Sequence, residues 1–164
     1  MAQREKFDVL TLTDKDKQLL NKFTEKRKLF DAYIESNKLE LFTCPGCGYP
    51  TLSERGGYEI CAVCNWEDDG QDNEHADEIW GGPNQRLTLI ENRINIGKAL
   101  EEIADRWDGA INLHPDEIMR AFKRHEERMN AFDDDEMMDA TTDDPIWKAW
   151  AAQKKVLLHE LIKR

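Results

Sequence analysis

With 164 residues and a formal charge of −11, the chain can bury one ordinary core, and it is too acidic to be drawn to nucleic-acid phosphates or anionic membranes. A hydrophobic share of 40% beside a charged share of 35% implies a modest core under a charged surface, not a disordered chain. No apolar run approaches the roughly 20 residues of a bilayer span, and the opening MAQREKFDVL lacks a signal core, which predicts a cytoplasmic protein whose cysteines are reduced or metal-bound.

Residues 1–43 predict a short lead and one helix. Thr13 and Asp16 have capping-box spacing, and Leu19, Leu20, Phe23, Phe30, Tyr33 and Ile34 recur at helical intervals. Residues 44–108 form a second segment of different character. Gly46, Gly48, Gly56, Gly57 and Gly70 interrupt it, and short extended pieces at Tyr49–Leu52 and Gly57–Ile60 predict a β-hairpin turning at Gly56-Gly57. Thr88 and Glu91 repeat the capping box, and Leu89, Ile96, Leu100, Ile103 and Trp107 line one side of a second helix, which Asp108-Gly109 ends.

The third segment, 109–164, predicts two more helices. His114 reads as the cap of the first, with Pro115 at its first position and Ile118, Met119, Phe122 and Met129 along it. Residues 133–144 hold seven acids and no base, which predicts a solvated linker. Asp144-Pro145 opens the last helix, where Trp147, Trp150, Leu157 and Leu161 share a face.

The chemistry lies in Cys44-Pro-Gly-Cys47 and Cys61-Ala-Val-Cys64, separated by thirteen residues. A two-residue gap lets one tight turn aim two sulfurs at one ion, and zinc takes four thiolates tetrahedrally at about 2.3 Å. The residue after each pair needs a left-handed backbone, which Gly48 adopts at no steric cost and Asn65 tolerates. A redox pair is the weaker reading, because neither pair sits in the strand-to-helix context of that chemistry. Four sulfurs alone do not separate zinc from iron. They leave no open position for a metal-bound water, so catalytic zinc is not expected. The expected fold class is α+β: a small zinc ribbon, a β-hairpin with two CxxC knuckles, packed among about four helices.

Trp66, Glu67, Asp68, Asp69, Asp72, Glu74, Asp77, Glu78 and Trp80 form an acidic stretch without lysine or arginine. A solvated loop is one reading. The sharper expectation is a docking surface for a basic protein, with the tryptophans as anchors; the other place for those tryptophans is the core. The four histidines are scattered, no serine has a base at motif spacing, and there is no P-loop or dinucleotide fingerprint, so no enzyme is expected.

The strings Cys44-Pro-Gly-Cys-Gly-Tyr-Pro-Thr-Leu, Tyr58-Glu-Ile-Cys-Ala-Val-Cys-Asn-Trp-Glu-Asp-Asp and Ala76-Asp-Glu-Ile-Trp-Gly-Gly-Pro-Asn resemble the cysteine-rich CPCC domain of bacteria over about residues 41–105. Gly46 stands where the family's namesake has a third cysteine, and Ala62 where proline is usual. The resemblance implies a zinc-ribbon-like module and an immunity protein that binds and neutralises a cognate toxin. The competing expectation is an accessory factor touching nucleic acid or transcription machinery, against which the acidity of the cysteine segment argues.

Overall fold

The structure, a computed structural model, describes residues 4–164; the first three residues of the expected 1–43 helical segment, and of the opening without a signal core, lie outside the described residues. The chain divides into two compact units, Met1–Ala99 and Leu100–Arg164. Among the described residues no helix is long and apolar enough to cross a membrane.

In the first unit, α1 (Asp14–Asn37) starts where the sequence places it. Thr13 Oγ1 accepts from the Asp16 N–H at 3.0 Å, and Asp16 Oδ2 accepts from the Thr13 N–H at 3.1 Å, so two of the donors that every helix start leaves open are satisfied reciprocally. Lys38, in a left-handed conformation, ends it. Its buried stripe is Leu19, Phe23, Lys26 and Phe30, the helical spacing expected except that a lysine stands in the middle. α2 (Leu89–Arg106) runs across the division between the units. Its entry is the second capping box: Thr88 Oγ1 accepts from the Glu91 N–H, and Glu91 Oε1 accepts from both the backbone and hydroxyl of Thr88.

The expected hairpin does not form. Among the described residues Tyr49–Leu52 and Gly57–Ile60 are not paired with each other; Leu52 bridges back to Phe42, and Ile60 bridges forward to Glu67. The backbone donors of the intended turn are taken by carboxylates. Glu59 Oε1 accepts from the Ser53 N–H and hydroxyl, and Asp68 Oδ2 accepts from the Gly56 N–H. Side chains that satisfy a turn's backbone remove the incentive for a strand ladder. Each cysteine pair therefore sits in its own small loop, closed by its own bridge.

In the second unit, β1 (Ala110–Ile111) pairs antiparallel with β2 (Ile162–Lys163), Ala110 opposite Lys163. This is the one sheet among the described residues; with the helices it makes the chain mostly helical α+β. α3 (Pro115–Asn130) begins with proline, as expected. His114 holds the cap position but its side chain makes no cap. Asn112 Oδ1 instead accepts the His114 N–H, while Asn112 Nδ2 donates to Glu117. The acidic run contains a short helix, α4 (Asp134–Asp139), rather than being linker throughout. Asp133 accepts from the Asp135 and Glu136 N–H groups, and three acids lie in its first turn, where the helix dipole favours negative charge. α5 (Pro145–Glu160) packs along α3, and Glu160 receives both Arg124 and Arg128. Ile118, Leu157 and Leu161 are fully buried.

Candidate metal centre

Both cysteine loops close in the same way. The Gly48 N–H donates to the Cys44 carbonyl at 2.8 Å and the Asn65 N–H to the Cys61 carbonyl at 2.9 Å. Gly48 has φ 84° and Asn65 φ 66°, the left-handed turns that the sequence predicts. The Cys44 N–H then pairs with the Tyr49 carbonyl, and the Cys61 N–H with that of Trp66. This geometry points all four sulfurs inward.

All four Sγ atoms lie within 4.8 Å of one another. The close pairs run between loops, Cys44 to Cys64 at 3.7 Å and Cys47 to Cys61 at 3.6 Å. A tetrahedron with metal–sulfur bonds of about 2.3 Å has edges of about 3.8 Å, whereas a disulfide holds its sulfurs about 2.05 Å apart. The cysteines are free thiols, spaced for one shared ion. Cys44, Cys47 and Cys61 are completely buried.

The electrostatics of the four thiols are compatible with a bound cation. Burial pushes the Cys44 and Cys47 thiols far up. At Cys61 burial also pushes up, but hydrogen bonds from Cys44, Cys47, Cys64 and Thr51 outweigh it and bring the thiol well below its ordinary range. Four thiolates packed this closely, three of them buried, would need compensation; a divalent ion held by Cys44, Cys47, Cys61 and Cys64 would supply it. Two groups already address the sulfurs: the Gly46 N–H at 3.3 Å from Cys44 Sγ, and the Thr51 hydroxyl at 3.0 Å from Cys61 Sγ.

The helices lock this centre in place through residues that sequence reasoning did not single out. Asn92 on α2 donates to the Gly46 carbonyl at 3.0 Å, and Arg93 Nε donates to the Pro45 carbonyl at 2.7 Å. Asn92 and Arg93 are both buried. A Cβ on Gly46 would lie 2.5 Å from Asn92 Nδ2 and 3.0 Å from Trp66 Cβ, so this knuckle is tight against its support. Lys26 on α1 is also buried, with Nζ 4.1 Å from the centroid of the Tyr49 ring. Burial lowers its pKa, while the four cysteines pull it upward. Arg93 lies over the Phe23 ring at 4.1 Å; burial and the neighbouring Arg27 bring it down to about 10, against the upward pull of Asp72 and Cys44. The only available signal for Lys26 was a lysine on the apolar stripe of α1.

Residues 42–105 match a family described as Cysteine-rich CPCC. That match coincides with the sulfur loops, their acidic insert and most of α2; α1 lies outside it. No curated protein and no solved structure matches the chain.

The acidic stretch is divided between inside and outside. Trp66 is core, and Asp68 is fully buried. Asp68 is held by Arg55 and by the Gly56 and Gly70 N–H groups. Asp72 receives both guanidinium nitrogens of Arg27 at 2.6 and 2.8 Å and Arg55 at 2.7 Å. Burial works against its charge, but Arg27 and Arg55 hold its carboxyl well below the usual range. Arg27 also reaches Thr43, which donates on to Asp31. Asp69 accepts from the Gln71 N–H. Glu78 bonds His75 Nδ1 at 2.5 Å, and Arg4 covers the Trp80 ring at 4.7 Å. His75 is thus engaged away from the sulfurs. Glu67, Asp69 and Asp77 are partly accessible, and Glu74 is exposed.

Proposed function

We propose that this chain is a non-enzymatic zinc-binding protein: Cys44, Cys47, Cys61 and Cys64 hold one structural Zn²⁺, and the folded module acts by binding a basic protein. One observation carries the metal reading, the set of four sulfurs at tetrahedral spacing, three of them on buried cysteines and the fourth on the half-buried Cys64. Four protein thiolates saturate the ion and leave it no position for substrate, so the ion's role is to order the loops around it. Zinc suits the site because it has no redox chemistry and no geometric preference beyond four ligands; iron is the competing occupant of the same donor set.

The partner reading rests on the net charge of −11 and on the carboxylates that keep solvent contact in the 66–80 stretch, Glu67, Asp69, Glu74 and Asp77. Such a surface steers basic partners by long-range attraction and repels phosphates. In its finest form the proposal is that the partner is a bacterial toxin domain, neutralised by direct binding in the cytoplasm.

Elemental analysis of freshly purified protein tests the metal: one zinc per chain is expected, and Cys47→Ser is expected to lose the ion and lower the unfolding temperature. Protein that is equally stable with no bound metal in either form would overturn the reading. For the partner, a basic protein encoded beside this one should co-purify with it, and their affinity should fall as salt rises. Retention on immobilised DNA or RNA at physiological salt would instead favour an accessory factor of nucleic-acid machinery.

A further inference from the structure

The fully or nearly fully buried charged side chains among the described residues are Lys26, Asp68 and Arg93. Asp68 has its own counter-charge in Arg55, at 2.9 Å. Asp72, partly buried, is matched by Arg27 at 2.6 Å and shares Arg55. The two carboxylates and the two arginines therefore cancel. Lys26 and Arg93 remain: Arg93 comes no nearer than 3.9 Å to the already engaged Asp72, and no carboxylate among the described residues forms an ion pair with Lys26. Leaving two cations inside a protein without counter-charge costs several kcal/mol each.

Both cations border the sulfur loops. Arg93 is bonded to Pro45, the residue between Cys44 and Gly46. Lys26 lies on the ring of Tyr49, whose carbonyl accepts the Cys44 N–H. Helix α1 itself runs against this loop, since a Cβ on Gly48 would stand 3.3 Å from the Arg27 backbone nitrogen. The cations thus approach from two helices, and each is carried on an aromatic face, Tyr49 or Phe23, a setting that accepts cations away from water.

We propose that Lys26 and Arg93 are the counter-ions of the metal–tetrathiolate: a divalent ion on four thiolates carries −2, the two side chains carry +2, and the buried centre is electroneutral only with a divalent occupant. The inference rests on the metal reading above and extends it to selectivity. A trivalent ion would leave the same core one charge positive, so the pair favours Zn²⁺ or Fe²⁺ over Fe³⁺. Charge balance also makes the thiolates poorer nucleophiles, in keeping with a structural rather than reactive role.

The test uses the full chain with Lys26→Met and Arg93→Met, which keep much of the apolar stem and remove the charge, and Lys26→Arg, which keeps the charge. Chelator competition should show zinc affinity falling about 10–100-fold in each Met variant and further in the double variant, with Lys26→Arg close to wild type. Because such variants can also weaken the fold, a second readout uses the iron-substituted proteins. Removing a nearby cation disfavours the more negative Fe²⁺ form, so the Fe³⁺/Fe²⁺ midpoint should drop in both Met variants. Wild-type zinc affinity in the Met variants, or an unchanged iron midpoint, would overturn the proposal. A wild-type chain that takes up no metal at all is a different result, which defeats the metal reading and this inference with it.

Discussion

Arg55 closes over Asp68: its Nε stands 2.9 Å from a carboxylate oxygen that has no exposure to solvent. The same carboxylate accepts the Gly56 N–H at 2.7 Å and the Gly70 N–H at 3.2 Å, so it joins the segment between the cysteine pairs to the acidic stretch that follows them. Removing one partner of such a pair leaves an uncompensated buried charge, at a cost of about 3–5 kcal/mol. Arg55→Ala should therefore destabilise the protein by about that much in urea unfolding, with Asp68→Ala costing less because the partly exposed Arg55 keeps Asp72 as its partner. A loss below 1 kcal/mol would show that water reaches Asp68.

Acid should act through Asp72. Its carboxyl is held below the ordinary range by Arg27 and Arg55 despite burial. A depressed folded-state pKa contributes stability that is full above the unfolded value of about 3.9 and is lost as pH falls through the lower, folded value. Asp72→Asn should cost about 1–3 kcal/mol at pH 7, the range of a hydrogen bond to a charged group. The difference between wild type and variant should shrink below about pH 4. Comparing the two proteins at each pH removes the contribution of metal release, which both share. A difference that stays constant down to pH 3 would place the interaction elsewhere.

Gly46 should resist substitution. A methyl group there meets Asn92 Nδ2 at 2.5 Å and Trp66 Cβ at 3.0 Å. Overpacking of this kind costs about 1–3 kcal/mol, and here the strain falls on the loop that presents Cys44 and Cys47. Gly46→Ala is expected to lower the unfolding temperature and speed zinc loss to a chelator. Unchanged values for both would mean that Asn92 swings away at no cost.

One face of α5 should give unequal responses along its length. Leu157 is 0% exposed, whereas Trp147 is 38% and Trp150 44% exposed on the same helix. Leu157→Ala should cost about 2–5 kcal/mol, and Trp150→Ala much less, despite the larger side chain removed. Equal losses in thermal unfolding would show that Trp150 is covered in solution.

The features legible in the sequence are those whose causes lie within a few residues. The left-handed turns at Gly48 and Asn65 follow from the two-residue gap in each pair, and the starts of α1 and α2 follow from caps three positions apart. The match over residues 42–105 likewise agrees with the resemblance carried by the cysteine strings. What escaped depends on partners far along the chain. Arg93 meets Pro45 across 48 positions, and Arg27 meets Asp72 across 45. Charge alone assigned Asp68 and Asp72 to a solvated loop or a docking surface, because a one-dimensional reading has no means of seeing that Arg27 and Arg55 await them. The hairpin failed for a related reason. Glu59 and Asp68 satisfy the donors of the stretch between the pairs, so pieces with the right propensity pair back across their own loops.

The separate closure of the two sulfur loops bears on how an ion would arrive. Each loop is tied by its own bridge, Phe42 to Leu52 and Ile60 to Glu67, and segments of this length meet within about 10–100 ns. Cys47 and Cys61 lie 14 positions apart. At synthesis rates of about 5–20 residues per second the second pair emerges roughly one to three seconds after the first. During that interval a nascent chain would offer an ion two thiolates only, a weak and exchangeable hold, so a metal bound there would equilibrate with whatever the surroundings supply before the later loop formed.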